Sequence, residues 1–495
     1  MITFRKHDSF MAAFFLLTVF LAICVCPLLF GDAWSGGRYF GIIGVTVLYV
    51  MAYLVVSGSN YIVRDHICIP SVLFLCSFGY FIYAGTLDHY SQVLADARFV
   101  YVESLTVAYN YISFALLSWI FAYAAGRIFW GKNLQSPCDV TGDVRLKEWA
   151  LTWDKKRFFL TIVFWSILGI IAFLVFFLHY IGGFPVLQGT SPNASPELRS
   201  LIIGRAHNIT VVAFNAATMA IMFGGVYLAI YKKNKFIITL FFIVSIILFL
   251  LLGARIYIAL PFMVVFLVFA HKGRSSLKLT IGILLLIIIV GSVYGIIRNI
   301  QFYRSHGLEI SEQTTVENLA VLHIAPEFRD ALGVISHLDE LQELYKPDYY
   351  LKGIYMTALP KKILTMIGVD KDILFSEEGV GSGWLVAKVT RGFDWTGVRP
   401  GIIGQTLMAF GVKGVVFVFF VYGLLFSQLD KLSKRYSYDC PWLVLIYILT
   451  VVFSFSIIGT THGTFAKLWY FVYGYLITIV LAAKKRKLST GLKSI

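Results

Sequence analysis

Long apolar runs alternate with short basic connections along most of the chain. A bilayer core takes about 20 mostly apolar residues per helix. Runs of roughly that kind lie near 11–30, 38–57, 66–84, 104–128, 158–181, 209–230, 236–252, 256–270, 279–297, 412–428, 440–459 and 466–483. The pattern predicts an all-α integral membrane protein with about 12 transmembrane helices. Helices 1–9 fall in 1–297, a large extracytoplasmic loop in 298–411, helices 10–12 in 412–483, and a basic cytoplasmic tail in 484–495. The runs 236–252 and 256–270 form a tight hairpin whose turn is Gly253-Ala254-Arg255.

Composition agrees with lipid as the main solvent. Of 495 residues, 58% are hydrophobic and only 14% charged, against about a quarter charged in an ordinary soluble domain. The net charge of +15 would suggest nucleic acid in a soluble protein. Here the basic residues sit in short loops, where they orient the helices, and no nucleic-acid partner is expected. With the N-terminus inside, Arg5, Lys6, Arg64, the basic 127–157 loop, Lys232, Lys233, Lys235, Lys272, Arg274, Lys434, Arg435 and the 484–487 run share one face. That asymmetry places both termini in the cytoplasm and the chain in an inner membrane. The first run reads as an uncleaved anchor, because no small-residue cleavage site follows it. The large outer loop contains none of the six cysteines, so no disulfide framework is expected.

The outer loop has helical patterning of its own. Leu332, Ile335, Leu338 and Leu341 repeat at helical spacing within 329–345, which predicts an amphipathic helix lying on the membrane or on the protein. A second apolar stretch, 349–366, is interrupted by Pro360, and 401–410 reads as an interfacial or re-entrant helix ahead of Gly411.

The charged residues narrow the chemistry. None of the 27 Asp and Glu falls in the middle of an expected span, and Glu103 only borders one. Ion-coupled transporters keep carboxylates at membrane depth. Their absence counts against a pump or symporter, but not against a flippase moving lipid-linked sugars through a cationic cavity. Arginines supply the positive signal. Arg205, Arg255, Arg298, Arg304, Arg329 and Arg399 all fall at outer membrane ends or in the outer loop. A guanidinium offers paired donors and stays charged when partly desolvated, which suits a pyrophosphate head group. The plainer reading is that each pairs with lipid phosphate or snorkels. Arg255 stands out because it occupies the face that the positive-inside rule disfavours.

Pro326-Glu327-Phe328-Arg329-Asp330 joins two carboxylates and an arginine at the start of a helix. Glu327 there is a candidate base for a sugar hydroxyl if its surroundings raise its pKa; the alternative is an acidic helix start favoured by the dipole. His462, in the outer turn Thr461-His462-Gly463-Thr464, is a second candidate base or phosphate ligand, with His323 and His337 behind it. Asp370-Lys371-Asp372 has the form of a metal-holding Asp-x-Asp, but such a tripeptide arises easily in a charged loop. No metal and no cofactor are expected.

Three stretches carry a family resemblance. Leu251-Leu252-Gly253-Ala254-Arg255 runs directly into an apolar span. Gly353-Ile354-Tyr355 is followed by Leu359-Pro360-Lys361-Lys362. Gly401-Ile402-Ile403-Gly404, Gly411-Val412-Lys413-Gly414 and Gly423 form a glycine ladder into the span after the loop. Together with the hydropathy pattern these resemble the bacterial oligosaccharide repeat-unit polymerases, the Wzy-type family that includes O-antigen and enterobacterial common antigen polymerases. The resemblance covers most of the chain from 236 onward; before that only hydropathy agrees.

The resemblance implies a GT-C-like membrane fold and a polyprenyl-pyrophosphate-dependent glycosyltransferase working on the outer leaflet. A growing glycan would pass from one lipid carrier to the sugar hydroxyl of an incoming lipid-linked repeat unit, with no nucleotide sugar. Arg255 and Arg298 would meet the pyrophosphates, with Arg304, Arg329, Arg399 and Arg205 binding substrate and Glu327 or His462 as base. The implied partners are the lipid-linked oligosaccharide, membrane lipids, a chain-length regulator and a flippase. The related O-antigen ligases share this plan but use a histidine near the end of the loop. Trp395-Thr396-Gly397-Val398-Arg399-Pro400-Gly401 has none, although His462 keeps that alternative open beside a lipid-oligosaccharide transporter and a non-catalytic scaffold.

Overall fold

The computed structural model describes residues 36–61, 69–94, 101–131, 151–184, 206–231, 233–252, 256–272, 326–359, 361–368, 382–392 and 398–485. The protein is mostly helical. Among the described residues seven helices are long and apolar enough to cross a membrane: Ile69–Tyr90, Ser104–Phe129, Lys155–Ile181, Asn208–Tyr231, Gly401–Arg435, Pro441–Ile458 and Gly463–Ala482. Gly41–Val56, Lys235–Leu251 and Tyr257–His271 are shorter apolar helices. Each overlaps a run read from the sequence; the runs 11–30 and 279–297 lie outside the described residues. The outward faces carry Leu54, Phe121, Ile128, Phe417 and Val480, all exposed, as suits contact with lipid tails. In such a solvent every backbone group must be bonded within the helix, which is why these segments are helical.

In chain order the helices are α1 Gly36–Tyr61, α2 Ile69–Gly79, α3 Gly85–Leu94, α4 Ser104–Gly131, α5 Lys155–Val175, α6 His207–Tyr231, α7 Lys235–Leu252 and α8 Ile256–His271. The outer segment supplies α9 Pro326–Ser336, α10 Leu338–Leu344, α11 Pro347–Tyr355, α12 Lys361–Met366 and α13 Ser382–Arg391. The last three are α14 Gly401–Arg435, α15 Pro441–Phe455 and α16 Thr461–Ala482.

The chain divides into two compact units. One comprises Met1–Phe129, Leu308–Asp430 and Thr450–Trp469. The other comprises Trp130–Gly307, Lys431–Leu449 and Tyr470–Ile495. In the second, α5 and α6 pack so closely that a Cβ on Gly169 would sit 2.9 Å from the amide nitrogen of Ala217. Small residues permit that approach, the usual device between helices in lipid. Phe173, Phe177 and Phe249 fill the adjoining core. Asp154 caps α5 by accepting from the amides of Lys156 and Arg157, each at 3.1 Å. Leu151–Trp153 pairs antiparallel with Ala483–Lys485 beside it.

In the first unit, α2 runs into α3 through a π-helical turn at Tyr80–Ala84, and α14 continues to Arg435. Both extend beyond the limits of 84 and 428 expected from hydropathy. The carboxylates of Asp88 and Asp430 are therefore buried near the ends of candidate spans. Asp430 is a structural anchor: Ser71 donates to it through its amide at 3.1 Å and its hydroxyl at 2.6 Å, and Tyr123 through its hydroxyl at 2.7 Å.

Two further differences concern the outer segment. The single helix expected over 329–345 is broken at His337, whose φ of −122° and ψ of 33° separate α9 from α10. Its apolar face packs on protein, with Val334, Leu341 and Tyr345 buried against Tyr350, Val386, Val398 and Met408. The helix expected at 401–410 is present as the first arm of α14, which breaks at Gly411 with φ 62° and ψ −158°. In an unbroken helix the carbonyl of Leu407 would accept from the amide of residue 411. Here Gln342 Nε2 donates to it at 2.9 Å.

Candidate functional site

The first turn of α9 is the centre of a charged cluster in the first unit. Pro326 opens the helix, where its missing N–H costs nothing. Phe328 then seats it: the ring is 1% exposed and lies edge-on to Phe81 with centroids 5.4 Å apart. Only glycine fits at position 85 of α3, since a Cβ there would come within 2.2 Å of the Phe328 Cβ. Anchoring at Phe328 holds Glu327, Arg329 and Asp330 in the buried interior rather than on a solvated helix start.

Asp330 ties three segments together. One carboxylate oxygen pairs with Arg391 at the end of α13, and the other accepts from the Arg399 amide at 2.8 Å. The Asp330 and Arg391 side chains are only 7% and 15% exposed. Behind them the Tyr101 hydroxyl donates to the Thr390 carbonyl at 2.8 Å. The Val398 amide donates to the Gly383 carbonyl at 3.0 Å, so the stretch carrying Arg399 is pinned to the start of α13. Ser104 and Ser336 hydroxyls, 2.5 Å apart, fasten the other end of α9 to α4.

The electrostatics follow from burial. Glu327 is 8% exposed, and desolvation pushes its carboxyl from 4.5 to about 7. Its own backbone amide and Arg399 favour the charged form, while Asp330 and Asp88 disfavour it. Arg329 is pulled below the usual guanidinium range by burial and then by Arg391, with Asp330, Asp88 and Tyr101 opposing. The Nε atoms of Arg329 and Arg391 are buried with no hydrogen-bond partner among the described residues. Lys467 of α16 lies within electrostatic reach of Arg399. Four cations thus share the region with three carboxyls, of which Asp330 is committed to Arg391 and an amide and Glu327 is poised near neutrality. Such an arrangement can hold an anion and accept a proton.

Of the residues singled out from the sequence, Glu327, Arg329 and Arg399 are brought together. His462 falls in the first turn of α16, and its side chain lies outside the described residues. So do Arg205, Arg255, Arg298, Arg304, His323 and Asp370 to Asp372. His337 stands apart from this chemistry: its ring bonds the Gly333 carbonyl at 3.1 Å and meets Tyr101 edge-on. Sequence reasoning passed over Arg391, Lys467, Asp88 and Tyr101. Arg391 precedes Gly392, whose φ is 68°, and so reads as an ordinary basic helix end. Lys467 lies inside an apolar span, and an ionisable residue there is itself a signal. No protein-family model, no curated protein and no solved structure matches this chain.

Proposed function

We propose that this protein is a polymerase of lipid-linked oligosaccharide repeat units of the Wzy type. It would transfer a growing glycan from polyprenyl pyrophosphate to an incoming lipid-linked unit on the outer face of an inner membrane. About 12 spans, both termini in the cytoplasm and a large extracytoplasmic loop over 298–411 belong to this reading. The observation that carries it is Glu327: a buried carboxyl, with its pKa raised to about 7, set among Arg329, Arg391 and Arg399. A base for neutral-pH chemistry needs a pKa near the working pH, and a diphosphate leaving group needs cations.

In the proposed step the acceptor sugar hydroxyl attacks the anomeric carbon of the donor. A new C–O bond forms as the bond from that carbon to the diphosphate oxygen breaks. The diphosphate lipid departs with the electron pair, and the hydroxyl proton passes to the Glu327 carboxylate. The guanidiniums neutralise the departing charge, and the rigid Asp330 linkage keeps Arg391 and the Arg399 backbone in place. Most of the remaining work is orientation of two lipids.

A second reading, a lipid-oligosaccharide transporter, draws on Asp88, a carboxylate buried inside a candidate span. An O-antigen-ligase-like transferase is the third. Electrophoresis of surface glycan from the native host lacking this gene separates them. A ladder collapsing to one repeat unit on its normal acceptor supports polymerisation. Full-length polymer held on the lipid carrier supports ligation, and an unchanged ladder refutes both transferase readings.

A further inference from the structure

Lys467 stands two turns into α16, inside the candidate span Gly463–Ala482. It is half-buried and forms no hydrogen bond or ion pair among the described residues. Long side chains on a helix lean toward its N-terminus, and this one does. Its Nζ lies 4.0 Å from the place where a Cβ on Gly463 would be. The charge therefore sits beside the positive end of the α16 dipole, where a cation is disfavoured.

A second cation is held nearby. Gly401, with φ +64°, packs so tightly that a Cβ would come within 2.5 Å of the Ile457 carbonyl. That contact seats the turn carrying Arg399 on the segment leading into α16. The Arg399 amide is fixed by Asp330 at 2.8 Å, while its side chain remains exposed. Arg399 and Lys467 are close enough for their charges to interact, and Asp330 already pairs with Arg391. Holding two like charges together at a helix N-terminus favours an anion between them.

We propose that Arg399 and Lys467 form a diphosphate-binding subsite that takes the head group of a membrane lipid. The lipid source rests on the polymerase reading; the diphosphate chemistry does not. Lys467 gives a point charge at the wall of the site, and Arg399 a planar fork that can grip two oxygens from the solvent side.

The test uses the full chain in phosphatidylcholine nanodiscs, with inorganic pyrophosphate in solution or a polyprenyl diphosphate in the disc as probe. Wild-type protein should bind the lipid diphosphate and gain thermal stability from it. Lys467→Met should weaken binding by about tenfold or more and abolish the ligand-induced shift, since a charge-assisted contact is lost. In empty discs the same variant should melt at or above the wild type, because a like-charge contact is relieved. Lys467→Arg should retain most binding, and Arg399→Gln should resemble Lys467→Met.

Undiminished binding by Lys467→Met overturns the subsite, as does failure of the wild type to bind either probe. A lower melting point for Lys467→Met in empty discs overturns it too, by assigning Lys467 a packing role. Equal affinity for pyrophosphate and for the lipid diphosphate overturns the lipid source alone. Binding that depends on Lys467, beside an unchanged glycan ladder in the deletion strain, supports the subsite and sinks the polymerase reading. The reverse pair of results sinks the subsite only.

Discussion

Replacing Glu327 by glutamine keeps the shape of the side chain and removes its charge. In the folded chain the carboxyl titrates at about 7, against 4.5 in its ordinary state. The folded form therefore binds the proton more tightly than the unfolded form. Between those two values stability falls as pH rises, because ionising the folded state costs more than ionising the unfolded one. Below 4.5 both states are protonated and the cost vanishes; above about 7 it is complete. At about 1.4 kcal/mol per pH unit the full cost is about 3 kcal/mol at pH 8, falling below about 1 kcal/mol at pH 5. Glutamine has no such cost. Glu327→Gln should thus be more stable than the wild type at pH 8 by a few °C in melting temperature, on the order of 2–5 °C, with the gap closing toward pH 5. Tryptophan fluorescence during thermal unfolding of the purified full-length protein, read as the difference between variant and wild type at each pH, isolates this group from others that titrate. A variant no more stable than the wild type at pH 8, or a gap that does not change with pH, would refute the assignment of a buried, raised carboxyl. Under the polymerase reading the stabilised variant also loses polymer formation, the expected trade-off where strain serves chemistry.

Other outcomes follow from contacts elsewhere in the first unit. Arg391→Ala leaves Asp330 buried beside an empty position and should lower stability by about 3 kcal/mol. The double variant Arg391→Ala with Asp330→Ala should recover part of that loss in a thermal-unfolding cycle. Asp430→Ala strands the Ser71 amide and the Tyr123 hydroxyl and should cost about 2–3 kcal/mol, seen as reduced yield of folded protein from the membrane; unchanged yield and melting point would contradict the anchoring role. Gly423→Val drives a Cβ to within 2.5 Å of the Trp119 carbonyl. Because α4 and α14 must separate there, a loss of about 1–3 kcal/mol is expected from the melting temperature. Gly411→Ala forces a side chain into a φ of 62° and should cost about 1–2 kcal/mol, or straighten α14 and release Gln342 from Leu407, which hydrogen exchange at α10 would register.

Hydropathy was sufficient for the helices because it is a local property. A run such as 158–181 has no soluble alternative, and lipid forces its backbone to bond internally. The break at Gly411 was legible for a similar reason: a glycine ladder marks backbone that cannot continue as plain helix. The start of α9 was visible as a cluster of charge, and Glu327, Arg329 and Arg399 were named from residue type and loop position. What the sequence left open was which of these charges would be desolvated. That depends on Phe328 docking against Gly85 and on Asp330 reaching Arg391, partners separated from them by 243 and 61 positions along the chain. Helix limits were misjudged at 84 and 428 because Asp88 and Asp430 look like span terminators; Asp430 is tolerated inside only because Ser71 and Tyr123 meet it. Lys467 was passed over because hydropathy averages one lysine into an apolar window, whereas its placement beside Arg399 arises when the 399–401 turn folds onto the segment before α16. Local pattern determined the helices, and burial, which only tertiary packing creates, decided which of their charged side chains can bind or titrate.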